Sequence, residues 1–252
     1  MLQRSFKSKI ILKVKDIKII RIILYPFINC IRILHLKKYR TSYDASKIRG
    51  LKDKYRGKRC FIIGNGPSLT LNDLEALKNE FTFGANKIYT LFDKTEWRPN
   101  AYVCVDREAL RNGHETIEKI KGQYKFIEQY GKKYFKGTKK NIYYCYSYAP
   151  FNIRYAINPI FSDDISNGMW SGRTVTFSAM QIAVYMGFKE IYLIGVDHHY
   201  RKTINEKGQI TVDSTVQDYS SLIDDGGLGI QYIDGVSKAY KSAYIFCKEK
   251  GI

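Results

Sequence analysis

The stretch "IYLIGVDHHY" (Ile191 to Tyr200) ends an apolar run on one carboxylate, Asp197, and two imidazoles, His198 and His199. Histidine titrates near neutrality, so beside a carboxylate these groups suit general acid–base work. The competing reading is a strand-end cap with one solvated and one packed histidine. Zinc is a third chemistry open to histidines, but no further ligand recurs at metal spacing, and no metal site is expected. Upstream, "IIGNGPSL" (Ile62 to Leu69) runs from an apolar segment into Gly64-Asn65-Gly66-Pro67-Ser68. The two glycines let backbone approach a ligand, and Pro67 stiffens the turn. Thr70 and Asp73 fit a helix start in which each caps the other's amide. Gly64 to Leu69 would then lie between a strand end and a helix N-terminus, where unpaired amides favour an anion. Leu69 stands where a third glycine would complete G-x-G-x-x-G, and no G-K-[ST] follows, so this is not a P-loop. Taken alone, the segment reads equally as a plain turn.

Three more polar groups follow apolar runs or precede a helix. Asp106 closes "NAYVCVD", and Asn86 follows the run ending "FGA". Ser171-Gly172 precedes a helical pattern whose first turn is expected to hold Arg173. A cation there opposes the helix dipole, so a bound anion would explain it better than stability does. Each position alone is ordinary turn chemistry; several strand ends carrying polar groups together indicate a site.

The elements that must position these groups are legible as pattern. Apolar, β-rich runs cover Cys60–Ile63, Phe81–Ala85, Ala101–Val105, Asn141–Tyr146 and Glu190–Asp197, the last expected to be buried. Leu71, Leu74 and Leu77 mark one helix; Val175, Ala179, Ile182, Ala183 and Met186 mark a second; Val236 to Lys250 reads as a third. Continuous apolar strands alternating with helices predict an α/β fold with a mainly parallel sheet covered on both faces. In such sheets ligands bind beyond the carboxyl ends of the strands. The Tyr-rich, irregular segment Arg107–Trp170 is expected to carry a helical insertion over the sheet edge. Arg201 to Gly235, ending in "DDGGLG", is expected to be a mobile loop or lid. After Gly251-Ile252 a further strand would be usual, so a native tail is expected to be missing. No internal repeat is visible.

Charge divides the chain. The net charge is +18, and residues 1–40 hold eleven Lys and Arg against one acid, Asp16. Residues 1–45 read as a basic amphipathic arm and 46–252 as the catalytic domain, with a polar join over Arg40–Lys58 and the body starting at about Arg59. The longest uncharged run, Ile22 to Ile31, falls short of the ~20 residues that span a bilayer. Lys7, Lys9, Lys13, Lys15 and Lys18 alternate with Ile and Leu, a pattern that suits an anionic membrane surface; an inert arm and a nucleic-acid tail are the alternatives. Pro26 is expected to break or kink a single helix there. The five cysteines form no C-x-x-C pair and point to a reducing compartment, with core packing their main role. The location expected is cytoplasmic, peripheral at the inner face of the cell membrane.

"IIGNGPSL" followed by "GFKEIYLIGVD" (Gly187 to Asp197) resembles the bacterial sialyltransferases of glycosyltransferase family 42. It is also similar to the superfamily of the 6-hydroxymethylpterin pyrophosphokinase-like domain and the motility-associated flagellin glycosyltransferases. The resemblance spans about Arg59 to Ile252. It implies a single Rossmann-like domain binding a nucleotide-activated sugar. It places Asn65, Gly66 and Ser68, with the flanking Gly64 and Pro67, against a CMP donor. Asn86, Ser171 and Gly172 would touch the same donor, with Asp106, Arg173 and Asp197 around it. His199 falls where those enzymes carry a tyrosine for the leaving phosphate. Their general base, a histidine before the last helix, has no counterpart here; His198 and Asp234 are both candidates.

The resemblance thus implies metal-independent transfer of a sialic-acid-type nonulosonic acid from a CMP donor to a surface glycan of lipopolysaccharide or capsule type. No cofactor is required, and the partners are the donor and a glycan or glycolipid acceptor. An alternative is Mg²⁺-dependent pyrophosphoryl transfer from ATP to a pterin, with Asp106 and Asp197 on the metal. A nucleic-acid binder is the reading from another class, since 21 tyrosines could stack on bases. Basic residues concentrate in the arm rather than tracking the aromatics, so no nucleic-acid partner is expected. A homo-oligomer is left open.

Overall fold

The computed structural model describes residues 18–137, 140–148, 159–219 and 230–252, with side chains from residue 26 onward. Its centre is a wholly parallel sheet of β1 (Arg59–Ile63), β2 (Thr82–Ala85), β3 (Ala101–Cys104), β4 (Tyr124–Glu128), β5 (Ile142–Cys145) and β8 (Glu190–Ile194). Two short strands between, β6 (Ser147–Tyr148) and β7 (Met169–Trp170), pair with each other. The sheet order is β5-β4-β3-β2-β1-β8. The chain therefore builds outward from β1 to β5, then returns to lay β8 on the other side of β1. That reversal is the topological switch point of the sheet, where such folds open a crevice.

Alternation along each strand sorts side chains into two cores. Cys60, Ile62, Ala101, Val103 and Phe126 pack on one face with α5 (Val175–Tyr185) and α6 (Ile233–Lys250). Ile63, Tyr102, Cys104 and Ile127 pack on the other with α3 (Leu71–Ala76) and α4 (Arg107–Lys119). The expected α/β fold with a covered parallel sheet is what the molecule adopts. Cys60, Cys104 and Cys145 are buried free thiols, as core packing requires, and burial pushes Cys104 up to about 12.

Four expectations need correction. The segment after Arg107 is not an insertion over the sheet: it supplies α4 and then β4 within the sheet itself. Lys125 and Glu128 disguise "YKFIE" as polar, yet both are buried, with Lys125 Nζ donating to Glu118 O at 2.6 Å and Glu128 accepting from Tyr130 N at 2.7 Å. The strand ending at Asp197 is not central: β8 is an edge, and Tyr192 on one face and Leu193 on the other are 43% and 40% exposed. Residues 201–219 and 230–235 do not form one loop. They contain β9 (Lys202–Ile204), β10 (Ile210–Val212) and β11 (Gln231–Tyr232), a small sheet of order β10-β9-β11. The "DDGGLG" portion lies outside the described residues.

The fourth correction concerns the arm. A single helix, α1 (Lys18–Arg40), runs through Pro26, which forfeits one amide donor without ending it. Its C-terminal half is docked on the body. Tyr39 is buried, stacks on Tyr146 at 5.6 Å and donates its hydroxyl to Tyr144 O at 3.2 Å. Next comes α2 (Tyr43–Arg49), capped by Ser42, which buries Ala45 and Ile48; Leu51 follows into the same core. The polar join thus belongs to the folded body, with Ala45, Ile48 and Leu51 turned inward and Tyr43 left exposed. Phe27, Ile31 and Leu34, at i, i+4 and i+7, form an exposed apolar stripe on α1, Phe27 at 66%. Lys7, Lys9, Lys13 and Lys15 lie outside the described residues. Among the described residues, no helix is long and apolar enough to cross a membrane.

Tyr39→Ala should destabilise the protein by about 3 kcal/mol, the usual scale for deleting a buried ring. It should also expose α1 to limited proteolysis. A denaturant midpoint shift worth under about 1 kcal/mol would mean that α1 is not anchored as described.

Candidate active site

At the switch point the loop after β1 and the loop after β8 are latched together. Gly64 N donates to Ile194 O at 2.8 Å, Gly66 N to Gly195 O at 2.9 Å, and Ser68 N to the Asp197 carboxylate at 3.1 Å. Leu69 N turns back to Gly66 O at 3.0 Å. A Cβ at Gly66 would fall on Asp197 Oδ2 and within 2.8 Å of Gly195 O, so glycine is required by close approach of the two loops. The expected capping box is present, with Thr70 Oγ1 accepting from Asp73 N at 3.2 Å and Asp73 from Thr70 N at 2.9 Å. These bonds narrow the phosphate-cradle reading. The amides of Gly64, Gly66, Ser68 and Leu69 are already spent inside the protein, and the helix behind them has six residues. The loop is a latch that shapes the crevice.

The crevice holds about 700 Å³. Gly64, Asn65, Gly66, Pro67, Asn86, Asp106, Ser171, Arg173, Asp197, His198 and His199 all line it, drawn from five separate loops. Three candidate residues stand apart from that lining. Ser68 is exposed, and its amide is the group that meets Asp197. Gly172 is buried under Phe177, whose ring a Cβ would strike. Asp234 sits in the first turn of α6, where its carboxylate suits the helix dipole and accepts from Glu206 N at 2.6 Å. Asp106 is the N-cap of α4, its Oδ1 accepting from Ala109 N at 2.7 Å. Arg173 is not in a first helical turn. Thr174 is the N-cap of α5, and Arg173 precedes it with φ 61°, its guanidinium 4.9 Å from the Tyr232 ring centroid.

Strain and unmet polarity gather here. Among the described residues four non-glycines have positive φ, and three of them, Asn86, Arg173 and His198, line the crevice. Such conformations persist where surroundings over-determine them, commonly at functional sites. Asn65 Nδ2 donates to Ala85 O at 3.0 Å, but its buried Oδ1 has no partner; the buried Oδ1 of Asn86 has none either. Two amide carbonyls at neighbouring strand ends are thus available to donor groups such as hydroxyls or an exocyclic amine.

His198 carries the most specific geometry. Its Nε2 lies 2.8 Å from Ser237 Oγ, while the Ser237 hydroxyl donates to Ile233 O at 3.0 Å. The one hydroxyl proton is committed to that carbonyl, so Nε2–H is the donor to Ser237 and Nδ1 bears the lone pair. Nδ1 is buried and unpartnered, so a substrate hydroxyl must displace a neighbour to reach it. The ring meets Tyr240 edge-on at 5.2 Å, and burial lowers its pKa from 6.5, which favours the neutral base. His199 is exposed on the crevice wall and close enough to Asp213 to lower that carboxyl's pKa, behind the larger effect of Thr215. Sequence reading missed Ser237, which no motif marks, and Gln181. Gln181 is fully buried in α5, accepts from Trp170 N at 3.1 Å and donates to Trp170 O at 3.0 Å, fixing the strand that delivers Ser171. Among the described residues, no three His, Cys, Asp or Glu side chains gather as a metal site.

The family model of 6-hydroxymethylpterin diphosphokinase MptE-like proteins matches residues 34–203, about two thirds of the chain. The chain belongs to that family. The match reaches from the docked half of α1 through β8 to β9, so it includes both latched loops. Among solved structures the chain is similar to the MAf glycosyltransferase from Magnetospirillum magneticum AMB-1, at 15% identity and a TM-score of 0.41. That likeness covers 83% of this chain but only 42% of the other, and it bears on neither substrate nor chemistry. No curated protein matches the chain.

Gly66→Ala should destabilise by more than about 2 kcal/mol, because the colliding atoms are a carboxylate and a backbone carbonyl. A melting shift within a degree of wild type would remove the latch from the account. The His198 shift also has a sign. Its folded pKa is depressed, so the unfolded chain takes up a proton first as pH falls through about 6.5. Stability should therefore decline below that pH and then level off. His198→Gln should flatten that part of the Tm-against-pH curve, and an unchanged curve would count against a depressed pKa.

Proposed function

We propose that this chain is a transferase that holds a nucleotide-activated sugar in the crevice at the switch point. The reaction that fits its side chains best moves a sialic-acid-type nonulosonic acid from a CMP donor to a surface glycan. The observation that carries this reading is the base-ready imidazole of His198, with its tautomer set by Ser237 and Ile233. In the reaction the acceptor hydroxyl passes its proton to Nδ1. Its oxygen bonds to the anomeric carbon, and the bond from that carbon to the CMP phosphate breaks. The departing phosphate gains negative charge, and His199 and Arg173, which both line the crevice, are the groups assigned to it. The unpartnered carbonyls of Asn65 and Asn86 suit the amine of a cytosine or the hydroxyls of its ribose. His198 is preferred over Asp234 as the base, because Asp234 is engaged outside the crevice. No cofactor enters this scheme.

The exposed Phe27-Ile31-Leu34 stripe supports peripheral binding to an anionic membrane at its cytoplasmic face. A glycolipid acceptor there would be concentrated around the site.

A second reading is favoured by the family description and by four carboxylates in the crevice, Asp106, Glu108, Asp197 and Asp218. It is Mg²⁺-dependent diphosphoryl transfer from ATP to a hydroxymethylpterin. Mg²⁺ asks for one or two carboxylates plus phosphate oxygens. Asp106 and Asp197 each commit one oxygen to an amide and would offer the other.

Thermal unfolding with CMP, UDP, GDP and ATP, each with Mg²⁺ and with EDTA, separates the two. A nucleotide at ~100 times its Kd adds about 2.7 kcal/mol, a shift of about 5–10 °C for this length. A CMP shift that survives EDTA is the expected result. An ATP shift that needs Mg²⁺ would replace the first reading with the second, and no shift at all would remove both. With an assay in hand, His198→Ala and His199→Ala should each lower kcat by about 10²–10⁴. A loss below about tenfold for either would withdraw its role.

A further inference from the structure

A second cavity, of about 400 Å³, opens between α1 and the ends of β4 and β5. Arg32 and His35 enter it from α1 and Arg107 from the start of α4, while Tyr130, Tyr146 and Tyr148 wall it. Glu128, Gln129 and Ser147 complete the polar lining. This cavity adjoins the crevice along the chain at two places. Arg107 follows Asp106, which lines the crevice, and Tyr148 pairs with Trp170, which precedes Ser171.

Burial lowers the Arg32 pKa first; Tyr146 opposes that and the Arg107 charge adds to it, so the two guanidiniums lie near enough to feel each other. Among the described residues Glu128 is the carboxylate that lines the cavity; it is buried, and desolvation raises its pKa against the opposing bond from Tyr130 N and the Arg107 charge. Arg107 lies 4.8 Å from the Tyr130 ring centroid, with Lys133 3.9 Å from that ring. The Ser147 hydroxyl is buried without a hydrogen-bond partner. Two arginines converging on an aromatic-walled hollow with an unsatisfied hydroxyl suit an oxyanion carried on a ring, since the guanidinium fork matches phosphate and carboxylate. The fold holds them there deliberately: Arg32, His35 and Tyr39 share one face of α1, and Tyr39 is the residue that docks it.

We propose that this cavity is the acceptor subsite and that it takes an anionic sugar, bearing a phosphate or a carboxylate, with Arg32 and Arg107 on the charge and the tyrosines against the ring. This rests on the transferase reading, which requires an acceptor beside the donor crevice. It also makes α1 part of the binding machinery rather than only a tether.

The test is saturation-transfer NMR and calorimetry on the full chain with glucose 1-phosphate, glucuronic acid, glucose and inorganic phosphate, without nucleotide. The expected result is binding of both anionic sugars and not of glucose. Arg32→Gln and Arg107→Gln should each weaken it about tenfold to a hundredfold, as for a lost charged hydrogen bond. Arg107→Lys, which keeps the charge but loses the fork, should also weaken it; circular dichroism and Tm verify that each variant is folded. Glucose binding as tightly as glucose 1-phosphate, inorganic phosphate matching the sugar phosphate, or affinity unchanged in both glutamine variants would each overturn the proposal. Nucleotide-induced stabilisation is recorded on the same wild-type samples. Anionic sugars failing while a nucleotide shifts Tm would overturn this subsite and leave the transferase standing. Arg-dependent sugar binding with no nucleotide shift would uphold the subsite's ligand and remove the transferase.

Discussion

Asp197 reaches from the end of β8 to the amide of Ser68, and the two loops meet so closely that only glycine fits at position 66. The contact exists because β1 is the strand at which the sheet reverses, with β2 on one side and β8 on the other. Register fixes it further: Ile63 pairs with Ile194, so both strands end level and release their loops at the same height. Were the register shifted by one residue, the carboxylate would miss the amide and the side chains of β8 would change faces. The crevice, its lining and the placement of His198 all follow from this join.

Around the latch the molecule tolerates local costs. Asn86, Arg173 and His198 adopt left-handed backbone, and the carbonyls of Asn65 and Asn86 are left without donors. Each such feature costs of order 1–3 kcal/mol and survives only where neighbours hold it. Here those neighbours are strand ends packed on both faces, which resist relaxation. His198 extends the logic, since its partner Ser237 is itself anchored on the Ile233 carbonyl and so orients the ring from the far side.

The arm and the sheet are less separate than charge alone suggests. Tyr39 and Ile48 belong to the core, while Arg32, a little under two turns before Tyr39, enters the second cavity. One helix therefore presents an apolar stripe to its surroundings and an arginine to the second cavity.

The sequence by itself determined five of the six central strands, the main helices, the Thr70 cap and several of the residues around the crevice. Those properties are local: apolar runs, period and turn chemistry act within a few residues of themselves. It did not reveal β4, because the buried Lys125 and Glu128 look like surface until Glu118 O and Tyr130 N are brought to them. Nor could it show that β8 is an edge, since an apolar run does not record which strands flank it. The amides of the glycine-rich turn looked free; only tertiary structure, by bringing Gly195 and Asp197 onto those of Gly66 and Ser68, decided that these two are not. The role of Ser237 depends on a partner 39 residues away. Hydrogen bonds across such separations are made by the packing of finished elements, and no short window of sequence contains both ends.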